Sequence, residues 1–364
     1  MTAGLYVGLM SGTSLDGVDA VLVEFSEGMP RVVKHTHRPF EDRLRAQLLA
    51  LSAIGTDELG RAAALGNELA QRYASAVGVV LEGSGVERRD VIAVGCHGQT
   101  VRHRPDLGYS IQIGNAALLA ELTSLPVVAD FRSRDVAAGG QGAPLAPAFH
   151  AAVFAKRDED RAVLNLGGIA NLSLLSRHGS VSGFDTGPAN CLLDLWAAQH
   201  LGAPCDHDGA WAGGGTVLEP LLERMLDDPY FGAPPPKSTG RDAFGDAWLR
   251  SKLPSGAAAR DVQATLLELT VRSIGGALRL AGFSAQRVIV CGGGARNRAL
   301  MRRLEALLTP APVESSDRHG LDPQQLEAVA FAWLAMQAVN GRPANIPAVT
   351  GARGPRVLGA IYPA

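Results

Sequence analysis

Asp185 follows an apolar run, Val181 to Phe184, and precedes a helix expected to open near Asn190. In open α/β folds the carboxyl ends of strands face the ligand crevice. A carboxylate there can act as general base toward a bound hydroxyl or water. The alternative is a cap-like Asp that fixes the turn at Gly187-Pro188. Near the N-terminus, Gly8-Leu-Met-Ser-Gly-Thr-Ser-Leu-Asp-Gly-Val-Asp19 holds Gly12 and Gly17, the hydroxyls of Ser11, Thr13 and Ser14, and the carboxylates of Asp16 and Asp19. Apolar runs on either side, Leu5 to Met10 and Val18 to Phe25, make it strand, glycine-containing turn, strand. Successive N–H groups in such a turn form an anion nest, and a carboxylate beside it suits a divalent cation riding on phosphates. The alternative is an ordinary solvated hairpin. Gly167-Gly168 repeats the plan between two further apolar runs, and Gly292-Gly293-Gly294 joins a strand to a helix, where a ligand could lie against the backbone.

A second set of polar residues sits at other strand ends: His97, Gln99 and Thr100, then Asp130 to Asp135. The guanidinium forks of Arg132 and Arg134 suit a carboxylate or phosphate; the alternative is a surface ion-pair cluster with Asp130 and Asp135. Glu327 opens a late apolar helix, facing either a ligand or solvent. The P-loop pattern, the dinucleotide G-x-G-x-x-G after a strand, H-x-x-x-H spacing and the G-x-S-x-G elbow are all missing from the sequence. Those readings are set aside, and with them a zinc or serine hydrolase.

These residues need elements to position them. The 364 residues exceed one typical core, so two domains are expected. A net charge of −2 gives no basic footprint for nucleic acid. Cys96, Cys191, Cys205 and Cys291 are scattered, which suits buried free thiols in a reducing cytoplasm. No long apolar stretch predicts a membrane span or leader. Periodicity predicts a helix over 57–81, capped by Thr56, with Leu59, Ala63, Leu69, Tyr73 and Val77 on its apolar side. It predicts another from Asp261, as its cap, to Leu280. The Gly/Pro-rich stretch 137–147 marks a domain crossover. The expected domains are 1–136, joined by the C-terminal tail 341–364, and 137–340.

Seven motifs in order, Met10 to Asp19, Gly95 to Thr100, Asp130-Phe-Arg132, Gly139 to Pro144, Phe184 to Asn190, Lys237-Ser-Thr-Gly-Arg241 and Cys291 to Gly294, make the chain resemble the anhydro-N-acetylmuramic acid kinase family, within the acetate and sugar kinase/Hsp70/actin superfamily. One departure is Ala189, where that family often has glycine. The resemblance implies an α/β fold of two duplicated actin/hexokinase-like (ribonuclease H-like) domains with a nucleotide cleft. It implies ATP and Mg2+ as cofactors. The implied reaction opens a 1,6-anhydro sugar with water and phosphorylates O6, in peptidoglycan recycling. Carried onto this chain, Asp185 is the base. Gly12, Thr13, Ser14, Leu15, Asp16, Gly17, Val18 and Asp19 form the first phosphate loop, with Asp16 meeting the metal through water. Gly167 and Gly168 reach the phosphates, Gly292, Gly293 and Gly294 the adenosine side, and His97, Thr100, Arg132 and Glu327 the sugar. The expected partners are a small-molecule sugar and ATP, without nucleic acid or membrane, in the cytoplasm. A homodimer is compatible with the sequence and not fixed by it.

Overall fold

The computed structural model describes residues 4–12, 14–26 and 28–364. The chain forms two compact units, Met1–Val153 with Gln325–Ala364, and Phe154–Gln324.

In the first unit, β1 (Gly4–Met10), β2 (Gly17–Phe25) and β3 (Arg31–Pro39) form an antiparallel meander. β4 (Val91–Cys96) pairs in parallel with β1, a small hairpin of β5 (Gln99–Arg104) and β6 (Tyr109–Ile113) follows, and β7 (Val127–Ala129) pairs in parallel with β4. The C-terminal strand Ala360–Tyr362 closes the edge beside β7. Tyr6, Val7, Leu9, Val18, Leu22 and Val94 are buried, because helices cover both faces of the sheet. On one face lies the helix Glu58–Leu81, which buries Leu65, Leu69, Tyr73, Val77 and Val80. On the other lies Leu326–Val339, apolar nearly all round. That helix approaches the strands so closely that a Cβ on Gly8 would sit 1.9 Å from the Ala328 carbonyl oxygen, and one on Gly95 2.1 Å from that of Phe331.

In the second unit, β8 (Arg161–Leu166), β9 (Ile169–Leu175) and β10 (Val181–Pro188) form an antiparallel meander. β11 (Arg287–Cys291) pairs in parallel with β8, and β12 (Val313–Ser315) with β11. The sheet order is β10-β9-β8-β11-β12. The first unit reads β7-β4-β1-β2-β3 inside its edge strand. Both sheets therefore have the order 3-2-1-4-5 with the same strand directions. This is the ribonuclease H-like arrangement, present twice. Helices Asn190–Leu201 and Ala259–Leu280 bury Leu192, Trp196, Leu266, Leu269 and Ile274 in the core of the second unit. No helix among the described residues is long and apolar enough to cross a membrane.

Several expectations shift. The division falls after Val153 and before Gln325, and not at 137 and 341. Buried Asp135 holds the Gly/Pro-rich stretch in the first unit: its carboxylate accepts from the Gly142 N–H at 2.8 Å, Asn345 at 2.6 Å and the Thr350 hydroxyl at 2.7 Å. The helix Leu326–Val339 stays with that unit because its contacts are with β1 and β4. Leu59 is 88% exposed and Ala63 is exposed too, so the helix begins a turn before it meets the core. Its cap position is Asp57, not Thr56. Asp261 lies inside its helix and accepts from the Thr216 N–H at 2.7 Å. Cys205 is exposed rather than buried.

Gly8→Ala has no room for its methyl group against helix backbone and is expected to destabilise by about 1–3 kcal/mol or more. Gly78→Ala, in the Glu58–Leu81 helix with nothing near the added methyl, is expected to stabilise by about 0.5–1 kcal/mol. Thermal melting of both variants checks the pair; equal melting temperatures would refute the tight crossing at Gly8.

Candidate functional site

In the first unit, parallel pairing sets Leu9 opposite Cys96, so the turns leaving β1 and β4 lie side by side. They are stitched together. The His97 N–H donates to the Leu9 carbonyl at 3.1 Å, and Gln99 Nε2 to the Gly12 carbonyl at 3.1 Å. The Ser11 hydroxyl contacts the Tyr73 hydroxyl at 2.7 Å and donates to the Gly98 carbonyl at 3.1 Å. His97 Nδ1 lies 3.2 Å from the Ser11 carbonyl and Nε2 2.9 Å from Arg132 Nη2. A carbonyl only accepts and a guanidinium only donates, so Nδ1 carries the proton. Burial, with Arg132 adding to it, pushes the His97 ring down to about 3. The imidazole is therefore a neutral spacer between the turn and the arginine.

Arg132 also donates to the Gly142 carbonyl at 2.8 Å. Burial pushes its guanidinium down to about 10, with Glu327 pulling the other way, so it stays charged at neutral pH. Its Nε and the Gln99 Oε1 are buried without a hydrogen-bond partner. A polar ligand would satisfy such groups. Thr100, on β5, accepts from Gln112 Nε2 at 3.2 Å. The structure thus brings His97, Arg132 and Glu327 into one electrostatic group, with Thr100 on the neighbouring hairpin.

The loop from Gly12 to Asp19 divides by role. Thr13 lies outside the described residues. The Leu15 and Val18 side chains are buried, which leaves only their backbone for a ligand. The Ser14 hydroxyl donates to Asp16 Oδ1 at 2.6 Å. Gly17 packs under β3, where a Cβ would meet the Arg38 carbonyl oxygen at 2.4 Å. Asp19 Oδ1 is held at 3.1 Å by both His35 and His37. Asp16 is thus the carboxylate at the turn itself. No group of three or more His, Cys, Asp or Glu among the described residues is arranged to hold a metal. A single carboxylate suits a magnesium ion that keeps its waters and sits mainly on phosphates.

In the second unit, Cys291 lies opposite Asn165 on β8, so the turns after β8 and β11 again emerge together. Gly292, at φ +80°, and Gly294 lie so close to Leu166 that a Cβ would fall 2.8 Å and 2.6 Å from its atoms. The first helical N–H groups anchor the other turn: those of Ala189 and Cys191 donate to the Gly168 carbonyl, and that of Asn190 to Gly167. Gly293 and Gly167 have no such crowding.

Asp185 lies near the end of β10, opposite Asn171 and beside a bulge. A segment that its residue types do not announce holds it. Its N–H donates to the Lys237 carbonyl at 3.1 Å, and its Oδ2 accepts from the Thr239 N–H at 3.0 Å. The Tyr230 hydroxyl donates to its carbonyl at 2.8 Å. Lys237 in turn donates to the Tyr230 carbonyl at 2.9 Å and lies 4.6 Å from that ring's centre. Burial pushes the Asp185 carboxyl up to about 6, against the Thr239 hydrogen bond. Asp185 is therefore no helix cap; it is a positioned carboxylate, partly shielded from solvent, with a raised proton affinity. Tyr230 and Thr239 were not among the residues expected here. Their only signal is the aromatic and proline-rich run around Lys237-Ser-Thr-Gly-Arg241.

The raised value favours the protonated folded state. Asp185 contributes most to stability below pH 4 and loses that contribution as pH rises through about 6. The loss amounts to roughly 2–3 kcal/mol for a carboxylate only partly shielded from solvent. Asp185→Asn removes it, so the variant is expected to melt higher than wild type at pH 7.5, with the gain shrinking through pH 4.5 and vanishing only below pH 4. A gain independent of pH would rule out the shift.

A sequence profile described as anhydro-N-acetylmuramic acid kinase matches residues 4–364. Proteins of that name from Nitrosomonas europaea and Nitrosospira multiformis are 53% and 52% identical over 361 and 366 residues, covering 99% and 100% of both chains. The one from Bordetella petrii is 55% identical over 366 residues, covering 99% of this chain and 96% of its own. Among solved structures, the activator of a 2-hydroxyisocaproyl-CoA dehydratase from Clostridium difficile aligns with a TM-score of 0.48 at 14% identity, over 92% of this chain and 96% of that one. A ROK family glucokinase from Streptomyces griseus aligns with a TM-score of 0.41 at 16% identity, over 92% and 100%.

Proposed function

The chain belongs to the anhydro-N-acetylmuramic acid kinase family, and from that premise we propose that it uses ATP to convert 1,6-anhydro-N-acetylmuramic acid into N-acetylmuramic acid 6-phosphate, a step of peptidoglycan recycling. The sugar's O6 is an ether oxygen of the anhydro bridge, so phosphorylating it requires the ring to open. Water must add at C1 while O6 takes the phosphoryl group. That chemistry needs a base for water, held apart from the phosphate groups. The observation that supports the reading is Asp185. One oxygen is tied to the Thr239 N–H, and the carboxyl is raised to about 6 by burial.

The remaining residues take roles by the same reading. Arg132, charged and with a buried Nε lacking a partner, receives the lactyl carboxylate, and His97, Thr100 and Glu327 hold the sugar hydroxyls and amide. The turn Gly12 to Asp19 and the turns at Gly167–Gly168 and Gly292–Gly294 hold the nucleotide. Asp16, with Ser14 orienting it, meets the water shell of Mg2+, whose charge would offset that of the phosphates. The wider expectations also stand as parts of this reading: a cytoplasmic enzyme, without nucleic-acid or membrane partners.

Three results test it. Sugar-dependent ADP release should occur with the anhydro sugar and not with acetate or free amino sugars. In ¹⁸O-labelled water the label should enter at C1; a product without label would identify an ordinary kinase acting on a free hydroxyl. Asp185→Asn should lower turnover by about 10²–10⁴-fold while ATP binding is kept. In wild type, kcat should fall tenfold per unit as pH drops below about 6, where Asp185 becomes protonated.

A further inference from the structure

The segment that holds Asp185 carries a second charged group, Arg241. A Cβ built on Gly168 would lie 3.1 Å from both Nε and Nη2 of Arg241 and 3.5 Å from Cζ. The guanidinium therefore rests directly against the glycine turn after β8. Other arginines of this unit are matched with carboxylates: Arg161 and Arg287 with Glu159, and Arg303 with Glu268. Among the described residues Arg241 makes no ion pair and no side-chain hydrogen bond. Its electrostatic neighbours are Asp194 and Cys191. An exposed guanidinium with an unused fork beside a glycine turn is suited to phosphate oxygens.

Its placement is tied to the base. Lys237 and Thr239 bind Asp185 through backbone atoms, and Arg241 follows two residues later. The turn after it is closed by the Ala243 and Phe244 N–H groups, which donate to the Gly240 carbonyl at 3.2 Å and 3.1 Å. One short strap thus holds the Asp185 carboxylate through its backbone and carries a cation of its own.

We propose that Arg241 is a second catalytic residue, which contacts the γ-phosphoryl oxygens of the nucleotide and neutralises their charge during transfer. This rests on the kinase reading. In the step, the bond between the γ-phosphorus and the β–γ bridging oxygen breaks and its electron pair leaves with ADP. The C1–O6 bond breaks with its pair going to O6, which bonds to phosphorus. Water bonds to C1, and its proton goes to Asp185. Arg241 keeps its protons throughout and acts only by charge and hydrogen bonding.

The test compares wild type, Arg241→Ala and Arg241→Lys. Arg241→Ala should lower kcat by about 10³–10⁵-fold, with the KM for sugar changed less than about threefold. Arg241→Lys should lie between, and added guanidinium ion should restore part of the Arg241→Ala rate. The acid limb near pH 6 should remain, because Asp185 is untouched. A separate binding measurement should show that Arg241→Ala weakens a non-hydrolysable ATP analogue more than ADP. Wild-type turnover in Arg241→Ala, or a lost rate without guanidinium rescue and with a shifted acid limb, would overturn the proposal; the second result would make Arg241 a support for Asp185. Wild type without sugar-dependent ADP release would sink the kinase reading instead. The ATP-to-ADP affinity ratio would then still decide whether Arg241 meets a γ-phosphate.

Discussion

In both sheets the first strand of the meander pairs in parallel with the strand that follows the helical crossover. Leu9 meets Cys96 in one, and Asn165 meets Cys291 in the other. Parallel partners finish at the same end of a sheet, so the turns that leave them are forced together whatever their sequence. The polar residues of each unit collect at that end for this reason. The central strands of each sheet are apolar and buried, so polar groups gather at the turns. The constraint also explains where glycine is indispensable. At Gly292 and Gly294 the chain passes against Leu166 with no room for a side chain, and at Gly8 and Gly95 a helix backbone occupies the space.

Each unit meets the constraint with different chemistry. In the first, the turns are locked by neutral contacts, Ser11 to Tyr73 and Gly98, Gln99 to Gly12, and His97 to Ser11. The Arg132 guanidinium leans on the neutral side of His97. In the second, the turns are locked by helical N–H groups, and a carboxylate stands nearby on β10. The first unit thus places a guanidinium beside its turns, the second a carboxylate.

Much of this was legible from residue types. Asp185 announced itself by following an apolar run and preceding Gly187-Pro188, and the glycine turns by their repetition after apolar runs. The duplicated plan showed in the same way, because strand, turn and strand recur with recognisable hydropathy. What stayed hidden acts through backbone or through distance in sequence. Lys237 and Thr239 stand in one of the seven motifs, but they bind Asp185 with a carbonyl and an N–H, which every residue possesses, so no side-chain pattern ties them to it. The helix Leu326–Val339 gave a clear helical signal, yet its place depends on Gly8 and Gly95, more than 200 residues earlier. Leu59 fits the helical period but is left in solvent, since periodicity fixes a face and not how far along the helix the neighbour extends.

Two carboxylates of the second unit show what hydrogen bonds decide. Glu268 is 2% exposed, and burial alone would raise its carboxyl. Arg303 and Arg272 clasp both of its oxygens, and the net shift is downward. Asp185 is only partly shielded from solvent but receives just one N–H on one oxygen, and its net shift is upward. Charged donors favour the ionised form far more than a single amide does. A second strong donor on Asp185 would therefore favour its ionised form. The strap stops at the contact that aims the carboxylate, and its arginine turns to Gly168 instead of closing on Asp185. With only that one partner, the carboxyl keeps its raised proton affinity.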